Sequence, residues 1–220
     1  MPPAMLPIDY DVVDGKRVLR PVVQIALDGM VNAGIEMVVF VVNEANLPVM
    51  RYFRSGEQFG VSVAYVWARG EGLAMAVDSA YTMMKGHTVL MTMPGVMDKK
   101  SIIGVLNRHQ QGAQALTVSV APNVIESEGS VNARGLQLTG VYAWSPKFTE
   151  YLRESMLARP KASFDDIVIK ASSSGVLVST VKFSYTPLVN STTAYTKVLK
   201  MEDPAPAYEP DDLTVLHSEP

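Results

Sequence analysis

The stretch that decides the fold is residues 87–100, HTVLMTMPGVMDKK. Its apolar run TVLM at 88–91 is typical of a strand buried on both faces. Pro94-Gly95 predicts a turn, and Asp98-Lys99-Lys100 leads into a helical pattern. Because ligands of open α/β sheets bind beyond the carboxyl ends of such strands, we expect the chemistry of this chain near residues 94–98.

Strand-like and helical patterns alternate on both sides of this stretch. The patterns predict strands at 35–42, 61–68, 88–91, 115–121, 136–144 and 176–183. They predict helices at 21–33, 43–55, 73–85, 102–111, 146–152, 164–171 and 192–200, and a small hairpin at Asp14-Gly15. Short links between alternating elements predict an α/β fold, a sheet with helices on both faces. We predict one domain, residues 1–201, followed by an acidic, proline-rich tail at 202–220.

The composition excludes several classes of protein. The formal net charge is −3, which disfavours a nucleic-acid binder held by phosphate contacts. No apolar stretch approaches the roughly 20 residues that span a bilayer, and no secretory leader is evident, so we expect a cytoplasmic protein. The absence of cysteine excludes disulfides and thiolate chemistry. With only three histidines, widely spaced, no metal site is predicted, and His109 is expected at the surface.

Several segments resemble one known family. They are PPAMLPI at 2–8, RPVVQIALDGMVNAGIEMVVFVV at 20–42, GLAMA at 72–76 and TGVY at 139–142. This order is similar to that of the sugar-1-phosphate nucleotidylyltransferases, the glucose-1-phosphate thymidylyl- and uridylyltransferases and their relatives. The resemblance covers roughly residues 3–200. It implies a Rossmann-like mixed sheet of the GT-A type.

The resemblance also implies a substrate pocket for a nucleotide or nucleotide-sugar. Residues matching the family's pocket segments are Gly72, Ala74, Thr139, Gly140 and Tyr142, and Arg69 and Glu71 are the polar residues beside the Gly72 turn.

The departures from the family bear on catalysis. The glycine-rich phosphate loop and the first strand have no counterpart in this sequence. The family's lysine in the segment after that loop falls on Pro3, its two metal-binding aspartates on Gly95 and Leu188, and its base-reading glutamine on Trp67. Since nucleotidyl transfer depends on charge stabilisation by these groups, we expect that catalysis has been lost.

The missing first strand predicts a gap in the sheet, because it is central in the family. Unpaired strand edges inside a core must be covered. Either the strands close up, or a tail segment such as LTVL at 213–216 or a partner subunit inserts into the gap, so a homo- or hetero-oligomer is predicted.

Several charged or aromatic residues have two interpretations. Asp98 is either a shifted Mg²⁺ ligand in an active enzyme or an acid at a helix N-terminus, and the second is favoured. Lys99-Lys100 is interpreted as a solvated pair rather than a phosphate site. Asp165-Asp166 is interpreted as a pair of first-turn acids of a helix rather than a metal site. Trp67 is expected to pack in the core rather than to stack on a base.

Three functions follow from these observations. The first is a nucleotide-sugar-binding or regulatory subunit without catalysis. The second is an active sugar-1-phosphate nucleotidylyltransferase, with Asp98 and Mg²⁺. The third is a scaffold whose sheet is completed by another chain.

Overall fold

The computed structural model describes residues 2–92, 99–122, 136–183 and 192–200. The strands in this part of the chain are β1 (Pro7–Val13), β2 (Lys16–Pro21), β3 (Met37–Val42), β4 (Ser62–Trp67), β5 (Thr88–Met91), β6 (Leu116–Pro122), β7 (Leu136–Trp144) and β8 (Val178–Lys182). The helices are α1 (Val22–Asn32), α2 (Leu47–Phe53), α3 (Leu73–Ser79), α4 (Lys99–Gln110), α5 (Pro146–Ala158), α6 (Phe164–Ser173) and α7 (Thr192–Leu199). None of these helices is long and apolar enough to cross a bilayer.

A four-stranded mixed sheet forms the centre of the domain, in the order β5-β7-β6-β8. Strand β7 runs antiparallel to both β5 and β6, and β8 runs parallel to β6. Side chains of β7 alternate between two cores. Val141 packs on one face with Ile102 of α4, and Trp144 packs on the other face with Phe148 of α5 and Phe164 of α6. The predicted α/β fold with helices on both faces is therefore confirmed.

Residues 88–91 form the predicted strand, and its side chains pack on both faces, Leu90 against one core and Val89 and Met91 against the other. The prediction that this strand is central and fully buried is wrong for the described part of the chain. There, β5 lies at the edge of the sheet with β7 as its partner, and all four of its residues are half-buried. Strands β3 and β4 form a separate parallel pair. An apolar run shows that a strand is covered, but it does not show how many strands flank it. The segment at 213–216 lies outside the described residues.

Helix α3 is shorter than its sequence pattern predicts. It ends at Ser79, and a 3-10 turn (Tyr81–Met83) follows in place of a continuous helix to residue 85. The Ser79 hydroxyl donates a hydrogen bond to the Met75 carbonyl one turn earlier, at 2.8 Å. It also accepts one from the backbone N–H of Arg69, at 2.9 Å. Such a hydroxyl competes with the helical backbone and favours an end to the helix.

The predicted hairpin at Asp14-Gly15 is confirmed. Both residues have positive φ, 52° and 75°, as a two-residue turn between right-twisted strands requires. In the ribbon formed by β1 and β2, Arg20 contacts three carboxylates. Its guanidinium lies 3.4 Å from Asp9 and 3.3 Å from Asp11, and it also contacts Asp28 on α1. Burial alone would lower the pKa of Arg20, but the hydrogen bond and charge of Asp28, with the other carboxylates, raise it.

We expect replacement of Arg20 by alanine to lower the free energy of unfolding by about 1.5–3 kcal/mol, the range for hydrogen bonds to charged groups. The reason is that three carboxylates would then face one another without the cation. Urea denaturation of Arg20→Ala checks this. Arg17→Ala is the control, because Arg17 stacks 4.5 Å above the exposed Tyr10 ring and contributes about 0.5–1 kcal/mol. Equal losses in the two variants would contradict the prediction.

Candidate functional site

A cavity of about 500 Å³ lies between the start of α3 and the connection from α5 to α6. Two short segments form its walls, residues 71–75 and residues 160–165. They are nearly 90 positions apart in the sequence, so the fold brings them together. A cavity of this size falls in the range of small-molecule sites. The charged residues at its surface are Glu71, Lys161 and Asp165.

The first wall is held in place by Ser79. The backbone N–H of Arg69 donates to the Ser79 hydroxyl, which fixes the loop of residues 69–72 against α3. Gly72 ends the loop with φ of 84°, a left-handed conformation that glycine adopts without strain. Ala74 lines the cavity with little exposed surface, whereas Glu71 and Arg69 are exposed.

The second wall ends in a capping box at the start of α6. The Ser163 hydroxyl accepts a hydrogen bond from the backbone N–H of Asp166, and the Asp166 carboxylate accepts one from the backbone N–H of Ser163, both at 3.1 Å. These hydrogen bonds lower the pKa of the Asp166 carboxyl. Asp166 therefore serves the helix terminus, as a first-turn acid does. Its neighbour Asp165 lines the cavity.

Tyr142 lies behind the cavity wall. Its side chain is buried, and its ring packs edge-on against Phe164 with 5.1 Å between centroids. Its hydroxyl donates a long hydrogen bond of 3.5 Å to Oδ1 of Asp165. Burial, followed by the charge and hydrogen bond of Asp165, raises the pKa of Tyr142, so the phenol stays neutral and acts as a donor. Tyr142 thereby orients a carboxylate of the cavity.

Thr139 and Gly140 lie in a β-bulge beside the carboxyl end of β5. Between Val118 and Val120, β6 contributes a single residue, Ser119, where β7 contributes three. The Ser119 hydroxyl fills the bulge. It accepts a hydrogen bond from the Val141 N–H at 3.0 Å and another from the Thr139 hydroxyl, and it donates to the Val141 carbonyl at 2.7 Å. Bulges often occur next to functional sites, where they redirect a strand.

The predicted site residues thus fall into two groups. Glu71, Gly72 and Ala74 line the cavity, with Tyr142 one hydrogen bond behind it. Thr139 and Gly140 lie at the end of β5, where the backbone N–H of Thr92 donates to the Gly140 carbonyl at 2.8 Å. Arg69 lies beside the first wall, and Asp98 lies outside the described residues.

Sequence reasoning did not identify Lys161 as a candidate site residue. The segment PKASFDD at 160–166 carried a signal, a proline followed by a serine-aspartate cap. This pattern indicates a helix start. Nothing in the segment itself indicates that it faces residues 71–75.

The prediction that Trp67 packs in the core is wrong. Trp67 is the last residue of β4, and 51% of it is exposed to solvent. Strand β4 has β3 as its partner in the described part of the chain, and the other aromatic residue of β4, Tyr65, stacks on Phe40 of β3. Trp67 therefore presents an aromatic surface just before the loop of residues 69–72.

The described residues do not fit a metal ion. They contain no group of three or more histidine, aspartate or glutamate side chains close enough to bind one. The positions that match the family's metal ligands, Gly95 and Leu188, lie outside the described part of the chain. We therefore derive no chemistry through Mg²⁺ at this cavity.

No protein-family model and no curated protein sequence matches this chain. Its fold is similar to solved structures of sugar-1-phosphate nucleotidyltransferases. A Bacillus anthracis protein assigned as a glucose-1-phosphate thymidylyltransferase, solved with sucrose, matches with a TM-score of 0.70 and 16% identity, over 91% of this chain and 88% of that one. UDP-glucose pyrophosphorylase from Acinetobacter baumanii matches with a TM-score of 0.63 and 16% identity, over 90% and 85%. An apo UDP-glucose pyrophosphorylase matches with a TM-score of 0.67 and 15% identity, over 90% of this chain and 89% of that one.

Proposed function

We propose that this nucleotidyltransferase-like chain binds a nucleotide-sugar in the cavity between residues 71–75 and 160–165, and that it does not transfer nucleotidyl groups. The observation that carries the proposal is the convergence of Glu71, Gly72 and Ala74 with Lys161 and Asp165 around one cavity. Gly72 and Ala74 were selected from the sequence because they match a substrate segment of the family, and Glu71 because it is a polar residue beside the Gly72 turn. The similar solved structures are named as a glucose-1-phosphate thymidylyltransferase and a UDP-glucose pyrophosphorylase.

The charges of the cavity suit both halves of a nucleotide-sugar. Lys161 is exposed at the cavity and supplies a cation for a diphosphate. The carboxylates of Glu71 and Asp165 accept hydrogen bonds from sugar hydroxyls. Asp165 is held by Tyr142, so part of the polar surface is fixed before a ligand arrives.

The loss of transfer activity is proposed from the sequence. In the family, two aspartates hold the metal ion that neutralises charge during attack at phosphorus, and the matching positions here are Gly95 and Leu188. A binding or regulatory subunit needs affinity for the ligand but not this charge stabilisation. Its partner would be a second copy of this chain or another subunit.

Isothermal titration tests the proposal directly. UDP-glucose, dTDP-glucose, glucose 1-phosphate, UTP and dTTP would each be titrated into the full chain, with and without Mg²⁺. We expect NDP-sugar binding that does not depend on Mg²⁺, and no pyrophosphate release on prolonged incubation. Mg²⁺-dependent triphosphate binding with pyrophosphate release would instead identify an active enzyme. Absence of all binding would contradict the proposal and favour the scaffold.

Replacement of Lys161 by alanine should weaken NDP-sugar binding by about 10- to 100-fold, since a charge-assisted hydrogen bond contributes about 1.5–3 kcal/mol. Lys170→Ala is the matched control, because Lys170 is exposed near the opposite end of α6 and does not line the cavity. Titration calorimetry and thermal unfolding would be run on both variants. Equal affinity in Lys161→Ala and Lys170→Ala would place the ligand elsewhere.

A further inference from the structure

His109 was expected at the surface, but in the structure it is only 5% exposed. It lies in the last turn of α4, and its Nε2 is 3.0 Å from Nδ1 of His87, which precedes β5. On the other side of the ring, Nδ1 of His109 is 3.2 Å from the Thr117 hydroxyl on β6. That hydroxyl is 2.8 Å from the Ser179 hydroxyl on β8. Both hydroxyl residues are fully buried. A continuous row of hydrogen bonds thus joins the start of β5 to α4, β6 and β8.

Only one proton can occupy the space between the two imidazoles. At 3.0 Å, one ring nitrogen must donate and the other must accept. The pair satisfies this rule as long as at least one of the two rings is neutral. The Thr117 and Ser179 hydroxyls can reverse their directions to match either tautomer of His109. Protonation of both rings would place two N–H groups and two positive charges face to face.

The two rings differ in their surroundings, because His109 is buried whereas His87 is exposed to solvent. The strands β5, β6 and β7 carry no charged residue among those described. Lys85 precedes β5, and α4 carries Lys100 and Arg108. Two further elements that contact α4 carry a charged residue, Lys182 on β8 and Asp28 on α1, which is engaged by Arg20. The two causes that disfavour a proton on His109 are its burial and the charge of His87.

We propose that His87 and His109 form an acid-sensitive latch, which holds the end of α4 to the start of β5 near neutral pH and opens when both rings become protonated. The latch lies at one end of β5. At the other end, Thr92 contacts the bulge at Gly140. Opening of the latch would loosen β5, the strand at whose end the predicted site residues Thr139 and Gly140 lie. This inference does not depend on the proposed ligand.

The direction of the titration agrees with this geometry. Burial, and then the charge of His87, lower the pKa of His109 below its usual value near 6.5. A histidine with a lowered pKa contributes stability that is present above the unfolded pKa. That stability is lost as the pH falls from about 6.5 towards the folded pKa. In that window, the unfolded chain binds a proton that the folded chain does not bind. The equilibrium constant for unfolding therefore rises about tenfold, per such proton, for each unit by which the pH falls.

Urea unfolding of the full chain between pH 5 and pH 8 tests the latch. We expect the wild-type unfolding constant to rise steeply below about pH 6.5, and we expect His109→Gln to flatten this rise. His217→Gln is the matched control, since it removes the third histidine and should leave the wild-type profile unchanged. An unchanged profile in His109→Gln would overturn the proposal.

Imidazole NMR titration provides a second measurement that does not require His109 to be replaced. In wild type, the His109 ring should titrate below pH 6.5, and hydrogen exchange of β5 amides should accelerate over the same range. In His87→Asn, which keeps a hydrogen-bonding atom near the Nδ1 position, the pKa of His109 should rise because the like charge is gone. A His109 ring that titrates at or above 6.5 in wild type would overturn the latch.

Discussion

Replacing Gly140 with alanine is expected to lower the free energy of unfolding by about 3–4 kcal/mol, the sum of backbone strain and overpacking. Gly140 has φ of 84°, where a side chain is strained. An added Cβ would also lie 2.0 Å from Oγ1 of Thr92, far inside contact distance. Either the Thr92 side chain would have to rotate and give up its hydrogen bond to the Gly140 carbonyl, or the end of β5 would have to move away from the bulge. Urea denaturation monitored by circular dichroism measures the loss.

Gly72 provides a matched control for the steric part of this effect. Its φ is also 84°, but an added Cβ would meet no atom within 4 Å. Gly72→Ala should therefore cost only the backbone strain, about 1 kcal/mol. In Gly140→Ala, a second substitution, Thr92→Ala, should recover the steric part, which a double-mutant cycle would detect as coupling. Equal losses for the two glycine variants, or simple additivity with Thr92→Ala, would contradict this explanation.

Ser119→Ala is expected to cost about 2–4 kcal/mol, because it leaves two buried donors without their acceptor at about 1–3 kcal/mol each. The donors are the backbone N–H of Val141 and the hydroxyl of Thr139. The Val141 carbonyl also loses its donor. Since Ser119 and Thr139 are both buried, water does not replace these contacts without opening the sheet. Chemical denaturation of the variant measures the effect.

Ser173 is the control for Ser119. Its hydroxyl donates to the Lys170 carbonyl at 2.9 Å, but it is exposed at the end of α6. Ser173→Ala should change the stability by less than about 0.5 kcal/mol. A further variant, Ser119→Ala combined with Thr139→Val, removes one unsatisfied donor and should be more stable than Ser119→Ala alone. A loss below about 0.5 kcal/mol in Ser119→Ala would show that the bulge does not depend on this hydroxyl.

Local structure followed closely from local sequence. The strand predicted at 136–144 is β7, with the same bounds, and Asp14-Gly15 forms the predicted two-residue turn. These features depend on side-chain alternation and on backbone preferences, which neighbouring residues determine. The α/β class followed from the same patterns. The resemblance of GLAMA at 72–76 also selected residues that line the cavity.

The second wall of the cavity was not predicted as part of a site. Lys161 and Asp165 approach residues 71–75 only because α6 packs on the same face of the sheet as α3. No periodic pattern in one segment identifies its partner far away in the chain. The bulge was missed for a similar reason, since it requires Ser119 of β6 to face Thr139 of β7.

The sequence by itself determined the order of strands and helices, the α/β class and the likeness to nucleotidyltransferase segments. Only the tertiary structure decided which residues are buried. His109 lies beneath a sheet although its neighbours in sequence are polar, and Trp67 is exposed although its strand is apolar. The physical reason is that periodicity reports how side chains alternate around one element, whereas burial depends on which other elements cover it.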